Sequence, residues 1–147
     1  MNRIVRLNRL NVAAAMFAVI VYTGMRPPGF DPVVSMDEIV VARVVSYEDS
    51  KNYFSTVILD VEEILKGSLS IGRIRAVWIP AVPPGCDTED CVRRAYANPR
   101  PRPKTGEKII TMMTWQHPSG MLDAHQEFTY PFSQEKRNEI SHKMKSR

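Results

Sequence analysis

The side chains able to do chemistry fall into a few groups. Glu62 and Glu63 are adjacent carboxylates, a pairing that serves acid–base catalysis when both groups converge on one bond. His117, Asp123 and His125 frame a glycine-containing stretch, His117-Pro118-Ser119-Gly120, from which a metal or proton-transfer site could be assembled. Cys86 and Cys91 are the only cysteines, with Asp87, Glu89 and Asp90 between them as oxygen ligands of the kind calcium takes. Arg93, Arg94, Tyr96, Arg100 and Arg102 make a basic, aromatic-bearing loop, the residue types that grip anions.

None of these patterns reaches a mechanism. Consecutive residues of a strand point to opposite faces, so Glu62 and Glu63 read as solvated or edge-protecting charges. The histidine spacing matches no ligand motif, and both histidines read as solvated loop residues. The acidic loop departs from the EF-hand register. Zinc lacks two ligands, and the Cys spacing is not the two-residue spacer of redox pairs. Phosphate loops, nucleophile elbows and Cys/His nucleophile arrangements do not occur. The expectation is a non-enzyme with no catalytic residue, no cofactor and no metal. Cys86 and Cys91 are expected to pair in a disulfide closing a short loop, contributing at most about 2–3 kcal/mol. Arg93, Arg94, Tyr96, Arg100 and Arg102 form the candidate binding loop.

These residues must be held by strands. Ile39 to Tyr47 is apolar on both faces, which predicts a central strand. Phe54 to Ile64 alternates, sending Val57, Leu59 and Val61 into the core. Ile74 to Pro80, Lys108 to Trp115 and Glu127 to Phe132 complete the set, with Trp78 as core or barrel-mouth packing. Between them, Ala81 to Lys104 is a long Pro-rich excursion with a short helix at Glu89 to Ala97. The acidic corner and Lys66-Gly67 turn after two long strands suggest the opening hairpin of a curled β-barrel. From Ser133 the pattern is polar, and only Ile140 and Met144 recur at helical spacing, predicting a surface helix or frayed tail.

The N-terminus carries an address. Arg3, Arg6 and Arg9 precede the apolar run Val12 to Val21, about 15 Å as a helix and too short for a bilayer. Residues 1–24 therefore read as a signal peptide or an uncleaved N-terminal anchor, and 25–35 as an extended linker. The domain is placed at 36–132 and a polar tail or helix at 133–147. A cysteine pair agrees with an extracytoplasmic location, periplasmic or secreted. Setting the N-terminal arginines aside leaves 17 basic residues against 16 acidic, so nucleic acid is a disfavoured partner.

Glu38-Ile39-Val40-Val41-Ala42-Arg43-Val44, Val61-Glu62-Glu63-Ile64-Leu65-Lys66-Gly67, Cys86 and Thr105-Gly106-Glu107-Lys108-Ile109-Ile110 together resemble a known pattern. It is that of secreted bacterial domains related to the tissue inhibitors of metalloproteinases and to netrin-like modules. The resemblance runs from about Met36 to Met113. It implies an all-β, OB-type fold, a five-stranded Greek-key barrel with a helix at one end. In the animal inhibitors an N-terminal Cys-x-Cys sets an amine and a carbonyl on the protease zinc. Val34-Ser35-Met36-Asp37 has no cysteine, so zinc-directed inhibition is not implied and no inhibitory residue is named.

The leading functional expectation is an exported binding module for a protein or cell-envelope partner, acting through the barrel face and the Pro-rich loop. Membrane contact is expected only through the N-terminal segment, if uncleaved. A loop-inserting protease inhibitor is the first alternative. A polyanion-binding OB domain using Arg100, Arg102 and the tail is the second, with only Tyr47, Tyr53 and Tyr96 available for stacking.

Overall fold

The computed structural model describes residues 28–50, 54–116 and 119–147. The signal or anchor reading of residues 1–24, Tyr53 and His117 lie outside them. The chain is mostly β, a five-stranded mixed sheet with short helices: β1 (Glu38–Asp49), β2 (Ser55–Lys66), β3 (Gly72–Ile79), β4 (Lys108–Trp115) and β5 (Leu122–Pro131). The helices are α1 (Pro32–Ser35), α2 (Glu89–Ala97) and α3 (Gln134–Lys145). The strand order is β1-β2-β3-β5-β4, with β4 pairing back to β1, so the sheet closes into a barrel. All ladders are antiparallel except β3–β5.

β1 pairs on both sides, as two apolar faces require. Its register with β2 shifts at Ile39/Val40, Val41/Ala42 and Val44/Ser46, bulges that curl the strand tightly enough to close the ring. Val40, Ala42 and Val44 face inward with Val57, Leu59, Val61, Trp78, Ile109 and Met113. Ile39 and Val41 face outward, where Val33, Met36, Phe128 and Ile140 cover them. Burying each such side chain stabilises by about 1.5–3 kcal/mol, so β1 is held from both faces.

Two segments differ from the sequence reading. The stretch expected to be an extended linker turns into α1, where Asp31 caps the turn by accepting from Val33 N at 3.0 Å. Val33 then buries against the barrel. The expected surface helix or tail is α3, capped by Ser133 and docked through buried Ile140. Arg137 donates to both oxygens of Glu63, fixing the helix on β2. Few apolar residues suffice because Phe30, Phe132 and Tyr130 bring their own surface to the contact. β5 also starts five residues before the expected Glu127, since the buried polar Asp123 and His125 interrupt its apolar pattern.

Cys86 and Cys91 are bonded, with Cα atoms 5.6 Å apart. The bridge ties α2 to the loop before it, over Ile79, Val82, Val92 and Tyr96. Replacing both with serine removes a constraint on a short loop, and urea titration of Cys86→Ser/Cys91→Ser is expected to show a loss of about 2 kcal/mol. Melting curves indistinguishable from the parent would contradict this. The bridge fits an oxidising compartment.

Candidate functional site

The corner at the end of β2 organises the surroundings of an apolar cleft. Lys66 Nζ donates to three backbone carbonyls, of Val33 at 3.0 Å, Val34 at 2.8 Å and Met36 at 2.5 Å, and so anchors α1. Glu38 is 1% exposed. Its carboxylate accepts from Ser68 N and Oγ, from Leu69 N at 3.2 Å, and from Trp115 Nε1 at 3.0 Å. Burial works to raise its pKa, but these donors outweigh burial and hold the carboxyl below the usual range. The carboxylate fits only because residue 67 is glycine: a Cβ there would lie 1.8 Å from Oε2.

This lock fixes Leu69 and Trp115 as walls. β3 and β5 pair only over Val77–Ile79, against Asp123–His125, so Gly72–Ala76 has no β5 partner. The gap opens as an apolar cleft of about 490 Å³, lined by Leu69, Ile74, Ala76, Trp115, Met121 and Leu122, with Thr56 and Arg75 at its edge. That volume is in the range of small-ligand and side-chain pockets. Met121 is 49% exposed at its rim, and Ile71, in the loop before β3, is 69% exposed.

The candidate binding loop is built differently from the sequence expectation. Tyr96 is buried, edge-on to Phe54 at 5.1 Å, because α2 turns that face onto the barrel. It offers no stacking surface. Arg93 and Arg94 are exposed but pair with Glu89 and Asp90 one turn earlier. Arg102 lies 3.8 Å over the Tyr47 ring and bonds Asp49 at 2.9 Å and Ser55. Tyr47 Oη donates to Pro103 O at 2.8 Å, and Gln126 Nε2 to Pro101 O at 2.9 Å, clamping the excursion onto the barrel. Arg100 is exposed on that clamp. The five residues are therefore not brought together at one surface. A smaller cavity of about 250 Å³ lies beneath, between Pro101–Pro103 and Thr129–Pro131.

Glu62 and Glu63 diverge as strand geometry demands. Glu62 meets Arg43 at 3.2 Å and Lys108 at 2.8 Å, while Glu63 meets Arg137. Hydrogen bonding from Lys108 leads in holding Glu62 below the ordinary carboxylate range, and Arg137 does the same for Glu63. His125 is not a solvated loop residue: it lies in β5, buried, with Nε2 2.8 Å from Thr114 Oγ1. Desolvation pushes its pKa down to about 4. Asp123 is buried two residues earlier, accepting from Gln116 Nε2 at 2.5 Å, and burial pushes its pKa up to about 6. Burial, reinforced by the Asp123 charge, raises the Tyr96 hydroxyl as well. Among the described residues, no group of three or more His, Cys, Asp or Glu side chains gathers as a metal site would require.

The cleft follows no pattern in the sequence. The available signal was large apolar side chains in Gly- and Ser-rich turns: Leu69 and Ile71 beside Gly72, and Met121 beside Gly120. No protein-family model matches the chain, and no curated protein matches it.

Proposed function

We propose that this chain is an exported, non-enzymatic binding module of OB type, related to the metalloproteinase-inhibitor and netrin-like domains, that engages a cell-envelope component through the apolar cleft beside β3. The strand order β1-β2-β3-β5-β4 and the helix carried between β3 and β4 support the OB-type Greek-key reading. The disulfide supports export. One observation carries the site: a preformed apolar opening, walled by Trp115 and Leu69, whose rim leaves Met121 half in solvent. A polyanion role is weakened because arginines that would form a basic stripe face carboxylates instead, Arg43 with Glu62, Arg73 with Asp60, Arg75 with Glu48 and Arg102 with Asp49.

A photo-crosslinking residue at Met121 or Ile71, in cells making the chain, is expected to capture one discrete species. The same residue at Asn98 or Glu135, both exposed, is expected to capture none. Equal capture at all four positions, or none at Met121, would overturn the reading.

A further inference from the structure

β3 has two edges, and the chain uses only one of them along its whole length. On the first, every residue from Gly72 to Trp78 pairs with β2. On the second, β5 pairs with Val77, Trp78 and Ile79 alone. Past Ile79 the chain closes the seam itself, since Gln126 accepts from Ala81 N at 3.3 Å and donates to Pro101 O at 2.9 Å. Ahead of Val77 the turn from β4 to β5 spends its bonds internally, Gln116 N on Met121 O at 2.7 Å and Gly120 N on Gln116 O at 2.9 Å. No described residue bonds to the outer edge of Gly72–Ala76.

This bare edge presents alternate N–H and C=O groups over about 17 Å. The cleft opens on its inward face. Ile74 and Ala76 turn to the barrel interior with Trp78, where Leu69, Trp115 and Leu122 also pack. Arg73 and Arg75 alternate to the outer face. They are held there by Asp60 of β2 at 3.0 Å and Glu48 of β1 at 2.5 Å, so they ask for no further partner.

Apolar walls alone would not name an occupant, but a row of backbone groups does. Such a row is matched by another backbone in extended form, and an apolar inward face by apolar residues at every second position. We propose that the gap between β3 and the start of β5 accepts an extended segment of a partner polypeptide. The segment adds as a strand to Gly72–Ala76 and sets one or two apolar side chains in the cleft. The proposal rests on the binding reading above and gives the chemical class of its partner. A second copy of the chain fits worse. Pairing two Gly72–Ala76 edges about Ile74 sets Arg73 across from Arg75 twice, and like charges directly opposite are destabilising.

The test uses the full chain and a defined probe, acetyl-Thr-Leu-Thr-Leu-Thr-Leu-Thr-amide, with amide hydrogen exchange read by NMR. In the free chain the amides of Gly72–Ala76 that point away from β2 are expected to exchange readily. Near saturation with the peptide they should slow by about tenfold or more. A peptide of the same composition with its leucines contiguous should bind about tenfold more weakly. Of two peptides N-methylated at the leucines or at the threonines, only the one whose methyl groups face β3 should lose about tenfold or more in affinity. Amides already protected in the free chain, equal binding of alternating and contiguous peptides, or equal binding of the two methylated peptides overturns the proposal. The same amides slowing as the chain itself is concentrated, with no peptide present, would assign the edge to a second copy and overturn it too. Capture at Met121 in cells without peptide protection of Gly72–Ala76 sinks strand addition and leaves the binding reading standing. Absence of any capture there removes both.

Discussion

Gly67→Ala is expected to destabilise the domain by about 4 kcal/mol or more, although a single methyl group is added. Two costs combine. Gly67 has φ +111°, a conformation that L side chains rarely adopt and that costs about 1–3 kcal/mol. The new Cβ would also stand 1.8 Å from Glu38 Oε2 and 2.3 Å from its Cδ, so the carboxylate must leave. Ser68 N, Leu69 N and Trp115 Nε1 would then lose an ionised acceptor, at about 1–3 kcal/mol for each donor left buried and unsatisfied. Glu38→Ala alone should cost about 3 kcal/mol or more for the same reason, since it too strips these donors of their acceptor. The double variant distinguishes this account from a general intolerance of the turn. With the carboxylate already gone, adding the methyl should cost only the backbone penalty, so the cycle measured by urea titration should be strongly non-additive. Strict additivity would show that Gly67 and Glu38 do not share one space. Protonation acts in the same direction as the mutation. Because the folded carboxyl sits below its unfolded range, the stability it lends is present above about pH 4.5 and is lost as pH falls through the folded value.

This lock explains what was legible in the sequence. In Val61-Glu62-Glu63-Ile64-Leu65-Lys66-Gly67 each residue has a structural task. Val61 fills the interior, Glu62 and Glu63 hold Lys108 and α3, Ile64 and Leu65 pack on opposite faces, Lys66 anchors α1, and Gly67 admits Glu38. A run so committed to architecture predicts architecture, and the strands around it are read well from alternation alone. α2 spans Glu89–Ala97 and β4 spans Lys108–Trp115, the bounds that punctuation and apolar content indicate. What alternation could not carry is long-range pairing. Nothing local in Asp123 or His125 says that the end of β4 will bring Thr114 and Gln116 against them and bury them, so they read as loop residues. The cleft was equally hidden. It exists because the β3–β5 ladder is only three pairs long, a consequence of how the barrel closes and not of any residue type at its walls. Tyr96 failed as a surface aromatic because the face of α2 that meets the barrel is set by the Cys86–Cys91 bridge and Phe54 together.

Asp123 and His125 should oppose one another across one pH window, and the single variants are expected to expose slopes that the parent conceals. His125 is pushed down to about 4 by burial, from an ordinary value near 6.5. Between those values the unfolded chain binds a proton that the folded chain does not, so stability rises with pH by about 3 kcal/mol across the window. Asp123 has the reverse sign. Its folded value of about 6 lies above the unfolded carboxyl near 3.9, so between them the folded chain holds the extra proton. That contribution is complete below the unfolded value and is lost as pH rises through 6, a fall of about 3 kcal/mol. The two nearly cancel in the parent between pH 4 and 6.5. Asp123→Asn keeps a partner for Gln116, removes the ionising group, and should become more stable with rising pH. His125→Gln keeps a partner for Thr114 and should become less stable over the same interval. Urea midpoints at half-unit pH steps read both slopes directly. Parallel curves for the parent and both variants would mean that neither group is desolvated in solution, and that the start of β5 is open to water.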